Sequence, residues 1–105
     1  MMQKIQREYH RRAILSLLLY DADYRLSIDM LEMVLDAAGH SITRDQIETE
    51  AAWLDEQGYV SRERPAMGLV VVALTDRGLE IARGKVRVPG IRDLRPSEIA
   101  EMQGR

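Results

Sequence analysis

This chain of 105 residues contains no cysteine. That excludes disulfides, thiolate zinc sites and cysteine nucleophiles, and it agrees with a reducing, cytoplasmic setting. No apolar run approaches the roughly 18 residues a transmembrane helix needs. Met1-Met2-Gln3-Lys4 leads into an amphipathic segment rather than the unbroken apolar stretch of a signal peptide, so neither membrane insertion nor export is expected. Internal repeats and low-complexity tracts are absent. Neither sign of charge dominates, with 15 Lys and Arg against 17 Asp and Glu. What is there, 46% apolar and 30% charged, suits one globular domain with a single modest core.

Periodicity divides the chain into short elements. Ile5, Tyr9, Ala13, Leu17 and Tyr20 recur at helical steps with Ile14 and Leu18 beside them, which predicts a first helix from about Lys4 to Leu19 with a wide apolar face. Asp21-Ala22-Asp23 breaks it, and Arg25-Leu26-Ser27 is long enough only for a stub of strand. Ser27 can cap a second helix that turns Ile28, Leu31, Val34, Leu35 and Ala38 inward, with Gly39 in the left-handed position that stops it. Thr43 and Gln46 form a T-x-x-Q capping box, and Ile42 with Ile47 makes a hydrophobic staple. They start a third helix, Arg44 to Gln57, with Ile47, Ala51 and Leu54 at core spacing and Gly58 as its stop.

Tyr59-Val60 then opens a strand, Pro65-Ala66-Met67-Gly68 turns the chain, and the β-branched run Leu69 to Leu74 returns as the second arm of a hairpin. Thr75 can cap a fourth helix, Asp76 to Arg83, closed by Gly84. Val86 to Arg95 holds Pro89-Gly90 and is expected to be extended, with a last short helix from Pro96 to Met102. The division is therefore a first domain of residues 1–84 and a basic C-terminal extension of residues 85–105.

Leu26-Ser27 ahead of helix two, the turn from Gly39 to Thr43, Leu54 leading to Gly58-Tyr59-Val60, and Leu74-Thr75-Asp76-Arg77-Gly78 together resemble the winged helix-turn-helix domains of bacterial and phage regulators. The resemblance spans about residues 4–84. More narrowly, the chain is similar to the small winged-helix proteins of Mu-like prophages, of the arsenic-repressor type but without the cysteine metal site. It implies an α+β, mainly helical fold: a three-helix core, a β-hairpin wing, and a C-terminal helix and tail. It also implies a non-enzymatic DNA-binding protein acting in transcription regulation. The apolar face of the first helix is wider than one small core needs, and with Ile99 and Met102 as a second patch it predicts a homodimer.

Charge is distributed unevenly along the chain. Residues 1–12 carry Lys4, Arg7, Arg11 and Arg12 against Glu8. Residues 21–58 carry ten carboxylates against Arg25 and Arg44, a net of −8. Residues 83–95 carry Arg83, Lys85, Arg87, Arg92 and Arg95 against Asp93. In helix-turn-helix docking the front of the second helix of the pair enters the major groove while neighbouring groups neutralise phosphates. Arg44, Gln46 and Thr49 are then the candidates to approach bases, and Arg62, Arg64, Lys85 and Arg87 to hold double-stranded DNA by its backbone. The acidic pair of helices opposes that grip, since phosphate neutralisation supplies most non-specific affinity. It equally suits a protein-interaction or phage accessory module with a basic partner, or another subunit's arginines.

Nothing in the sequence supports catalysis, and neither cofactor nor metal is expected. His10 and His40 lie thirty residues apart with no cysteine to join them. Gly78 to Lys85 has five residues between its glycines where a phosphate loop has four, and Val86 replaces the magnesium-binding hydroxyl. Asp21 and Asp23 are read as a helix-ending turn, and Trp53 as core or partner packing.

Overall fold

The computed structural model describes residues 1–102. Within them lie helices α1 (Met2–Tyr20), α2 (Ile28–Ala37), α3 (Arg44–Glu56), α4 (Asp76–Ala82) and α5 (Pro96–Met102), and strands β1 (Arg25–Ser27), β2 (Val60–Glu63) and β3 (Val71–Leu74). The strands form one antiparallel sheet in the order β1-β3-β2. The architecture is α+β and mainly helical, and it is compatible with the winged-helix expectation.

Local signals set most of the element ends. The Ser27 hydroxyl accepts from the Met30 amide, and the Thr43 and Gln46 side chains complete the reciprocal capping box of α3. After α2, Gly39 adopts φ +92 and the His40 amide donates back to the Leu35 carbonyl at 2.8 Å. After α3, Gly58 adopts φ +80 and the Tyr59 amide donates to the Leu54 carbonyl at 3.0 Å. Both are Schellman closures that return the chain sharply and satisfy the last carbonyls.

The three-residue stub β1 is a full member of the sheet, with Leu26 opposite Val72. Its entry is fixed by Asp21, whose carboxylate accepts from the Asp23 and Arg25 amides at 3.0 and 3.2 Å, so the two aspartates do form a turn. The return arm of the hairpin begins at Val71 rather than Leu69. Met67 and Gly68 both take left-handed backbone, and the Leu69 amide donates to the Ala66 carbonyl, so the loop consumes residues 64–70 before pairing starts at Glu63 and Val71.

Gly78 explains the L-T-x-x-G pattern. A Cβ there would sit 1.8 Å from the Tyr59 carbonyl oxygen, so α4 can press on the start of β2 only with glycine at that position. Thr75 ties the same junction, donating to the Gly58 carbonyl at 2.7 Å and accepting from the Gly78 amide.

One core runs through the molecule: Ile14, Leu15 and Leu18 of α1, Leu31 and Leu35 of α2, Ile47 and Leu54 of α3, Val60 and Val72 of the sheet, and Ile81 of α4. The segment beyond residue 84 belongs to it, since Ile91 and Leu94 are buried in the same cluster and Ile99 packs against it. The expected inward face of α1 divides in two. Ala13, Ile14, Leu15, Leu18 and Leu19 are buried, whereas Ile5, Tyr9 and Tyr20 stay about half exposed. Nineteen residues of helix are longer than a core of this size can cover. Ala38, expected inward, is exposed because it follows the last turn of α2. Among the described residues no helix is long and apolar enough to cross a membrane.

Candidate nucleic-acid interface

The front of α3 is the element on which a grip on DNA would turn. Of its expected base-approaching groups, Arg44 is engaged in an ionic network: its guanidinium pairs with Asp29, lies 3.8 Å from Glu32 and 3.3 Å from Glu48. The hydrogen bond it donates to Asp29, with the charge of the surrounding carboxylates, raises its pKa above the usual guanidinium value. The Gln46 amide oxygen accepts from the Thr43 amide at 3.0 Å. The Thr49 hydroxyl donates back to the Asp45 carbonyl at 2.9 Å. Gln46 and Thr49 also line an open cleft of about 340 Å³ between α3 and α1, which brings them together with Gln3, Gln6 and Arg7.

The hairpin supplies the next two. Arg62 is half-buried and donates to Asp55 of α3 at 2.8 Å, so its charge is largely spent inside the molecule. Arg64 is exposed at the approach to the loop and has no side-chain partner among the described residues. Both line a small groove with Glu48 and Val70. Lys85 and Arg87 are likewise exposed, alternating with the half-buried Val86 and Val88. The seven residues therefore do not form one basic patch. They divide into Arg44 and Arg62, matched by carboxylates, the uncharged Gln46 and Thr49, and three cations, Arg64, Lys85 and Arg87, without an ion-pair partner among the described residues.

The positive charge at the front of α1 is partly turned inward. Arg11 and Arg12 are 7% and 3% exposed, and neither faces solvent as a backbone clamp would. Arg11 donates to Glu50 at 2.7 Å and to the Gly90 carbonyl at 3.0 Å, and its guanidinium lies 3.8 Å over the Trp53 ring. Trp53 in turn closes on Gly90, where a Cβ would come within 2.7 Å of the indole. Arg12 donates to the Arg92 and Ile81 carbonyls, and burial, with the neighbouring Arg92 adding to it, brings its pKa down to about 10. Arg7 shares Glu50 at 2.9 Å. Arg92, from the basic C-terminal cluster, pairs with Glu98 and lies 4.9 Å over Tyr9.

Glu50 is therefore the organising residue that reading α3 as a simple acidic face missed. It is 4% exposed and binds two arginines of α1. The signal was its spacing: Ile47, Glu50, Ala51 and Leu54 fall on one stripe, and a carboxylate on an inward stripe demands a cation. Arg11 and Arg12 give the reciprocal signal, four and three residues ahead of Leu15.

The histidines have ordinary packing roles. Burial lowers the pKa of His10, with Glu50 opposing that shift, and the His40 ring lies 5.4 Å from Tyr9. No group of three metal-ligating side chains occurs among the described residues.

Two relatives share much of this sequence. The chain is 37% identical over 86 residues to uncharacterized protein gp26 of Escherichia phage Mu, an overlap of 82% of this chain and 88% of that protein. It is 35% identical over 69 residues to an uncharacterized protein of Haemophilus influenzae, covering 66% of this chain and 68% of that one. No protein-family model matches the chain, and no solved structure matches it.

Proposed function

The chain belongs to the family of the phage Mu protein gp26, and from that premise we propose that it is a small winged-helix protein that contacts double-stranded DNA without enzymatic activity, as a phage-type regulator in the cytoplasm. The order helix, strand, helix, capped helix, hairpin, with strands running β1-β3-β2, supports the winged-helix reading. The observation that carries DNA contact is the unpaired Arg64 on the hairpin, joined by Lys85 and Arg87 on the C-terminal segment. Gln46 and Thr49 are the groups on α3 fitted to approach bases, because Arg44 is held by carboxylates. The contact is a backbone contact of few charges, weak and strongly dependent on salt.

Titration of the protein against a random-sequence duplex at several salt concentrations tests this reading. Arg64→Ala should lower the slope of log affinity against log salt by about 0.9, one phosphate contact. Arg62→Ala should change it less, since that charge already faces Asp55. No binding at low salt would remove the proposal.

Homodimerisation accompanies this reading. Ile5 and Tyr9 leave an apolar strip of α1 about half exposed, and light scattering over micromolar concentrations reads the mass. Ile99 contributes little to that surface because it packs on the core, and the side chain of Met102 lies outside the described residues.

A further inference from the structure

The outward side of α2 takes no part in the core, and its only contacts described above are the ion pairs of Asp29 and Glu32 with Arg44 along one edge. Met30 and Met33 are 45% and 68% exposed, and Ala37, one turn beyond Met33, is exposed as well. At 3.6 residues per turn these three fall on one stripe. Asp29 and Asp36 are exposed along one edge of it, with Glu32 beyond them toward Arg44. Arg44 serves Asp29 and Glu32, while the Asp36 carboxylate has no partner among the described residues. An apolar strip edged by carboxylates repels polyanions and attracts a surface that is both apolar and cationic. Methionine suits such a strip because its unbranched, polarisable side chain conforms to varied apolar partners.

We propose that this face docks a basic amphipathic helix of another protein. Its apolar side lies on Met30, Met33 and Ala37, and its lysines or arginines reach Asp29 and Asp36. A second copy of this chain is a poor occupant. Its basic helix is α1, whose Arg7, Arg11 and Arg12 are already bound to Glu50, Gly90 and the Ile81 and Arg92 carbonyls. The surface uses none of Arg64, Lys85 and Arg87, so it does not depend on their contact with DNA.

The test uses the full chain with its methionine methyl groups labelled with carbon-13. It is titrated with two synthetic peptides of roughly 18 residues: an amphipathic leucine–lysine helix, and the same composition reordered to spread the leucines round the helix. The Met30 and Met33 signals should move with the amphipathic peptide while those of Met2 and Met67 stay fixed, and the reordered peptide should bind about tenfold more weakly. Met30→Ser with Met33→Ser should cost about tenfold in affinity, and Asp29→Asn with Asp36→Asn should flatten its salt dependence. All four side chains are outward, so these variants keep the fold. Equal binding of the two peptides, no binding, or unaltered affinity in the methionine variant would overturn the proposal. So would movement of the Met30 and Met33 signals with protein concentration alone or with duplex DNA, since the occupant would then be a second copy or nucleic acid.

Discussion

The two ends of α3 use arginine in opposite ways. On the side facing α1, Arg11 and Arg7 converge on buried Glu50, Arg11 covers Trp53, and Arg12 and Arg92 tie the C-terminal segment across the molecule. On the side facing the hairpin, Arg62 is shared with Asp55 at the surface and Arg64 is unpaired. In the first group Arg11 and Arg12 are held out of water, where a charge must be matched, with Arg7 and Arg92 at the rim; in the second Arg62 is matched by Asp55 and Arg64 remains hydrated and available. Counting charge along the chain treats both alike. Only burial separates an arginine that holds the fold from one that can meet a ligand.

Several measurements would break or sharpen that contrast. The largest effect belongs to Glu50→Ala, which strands the Arg11 guanidinium without its carboxylate. It should destabilise the protein by about 3 kcal/mol, lowering Tm by roughly 15 °C in a thermal melt. A drop of only a degree or two would mean that the inner arginines are no more structural than the outer ones. Gly78→Ala should cost a comparable amount, about 3 kcal/mol, because the added methyl meets the Tyr59 backbone rather than a side chain that could yield. This variant is the control showing what steric failure alone does at the hairpin junction.

A smaller effect concerns acid. Hydrogen bonds from Arg92 and from the Arg95 amide hold the Glu98 carboxyl below its ordinary 4.5. The folded value is depressed, so its contribution is complete above about pH 4.5 and fades as pH falls through the lowered value. Amides of α5 should therefore lose protection from exchange below that pH while the core helices keep theirs, and Glu98→Gln should abolish the pH dependence. Uniform loss of protection across α1 and α5 would show that the two are not separately tied. Smallest of all, Arg64→Ala should shift stability by less than about 0.5 kcal/mol in denaturant melts, as expected for a hydrated surface charge. A larger loss would place Arg64 among the structural arginines and withdraw it from the proposed interface.

Much of the fold was legible because its signals are local. The Thr43–Gln46 box and the stops at Gly39, Gly58 and Gly84 depend on residues within one helical turn, and helix boundaries followed to within a residue or two. The stub Arg25–Ser27 was visible, but its pairing with β3 required a partner about 46 residues away. The beginning of β3 was misjudged because β-branched Val70 and apolar Leu69 carry strand propensity. The left-handed backbone at Met67 and Gly68 overrides it.

The candidate interface was less legible. Its residues could be named from type and position, but whether each charge is free depends on distant partners: Asp55 for Arg62, Asp29 for Arg44, Glu50 for Arg7 and Arg11. The segment from Lys85 to Arg95 reads as a basic appendage because its four cations stand against a single carboxylate, Asp93. Ile91 and Leu94 nevertheless enter the core, and Trp53 and Arg11 hold Gly90 in a contact that only glycine allows.

By itself, then, the sequence determined the helices, their caps, the hairpin and the uneven distribution of charge, because each of these is written within a few consecutive residues. Tertiary structure alone decided which arginines face water, that Glu50 sits at the centre of an ionic cluster, and that the segment from Val86 to Ile99 completes the core. Those outcomes turn on groups from 7 to 80 positions apart, and the cost of leaving a charge dry and unmatched is set only once the chain has brought them together.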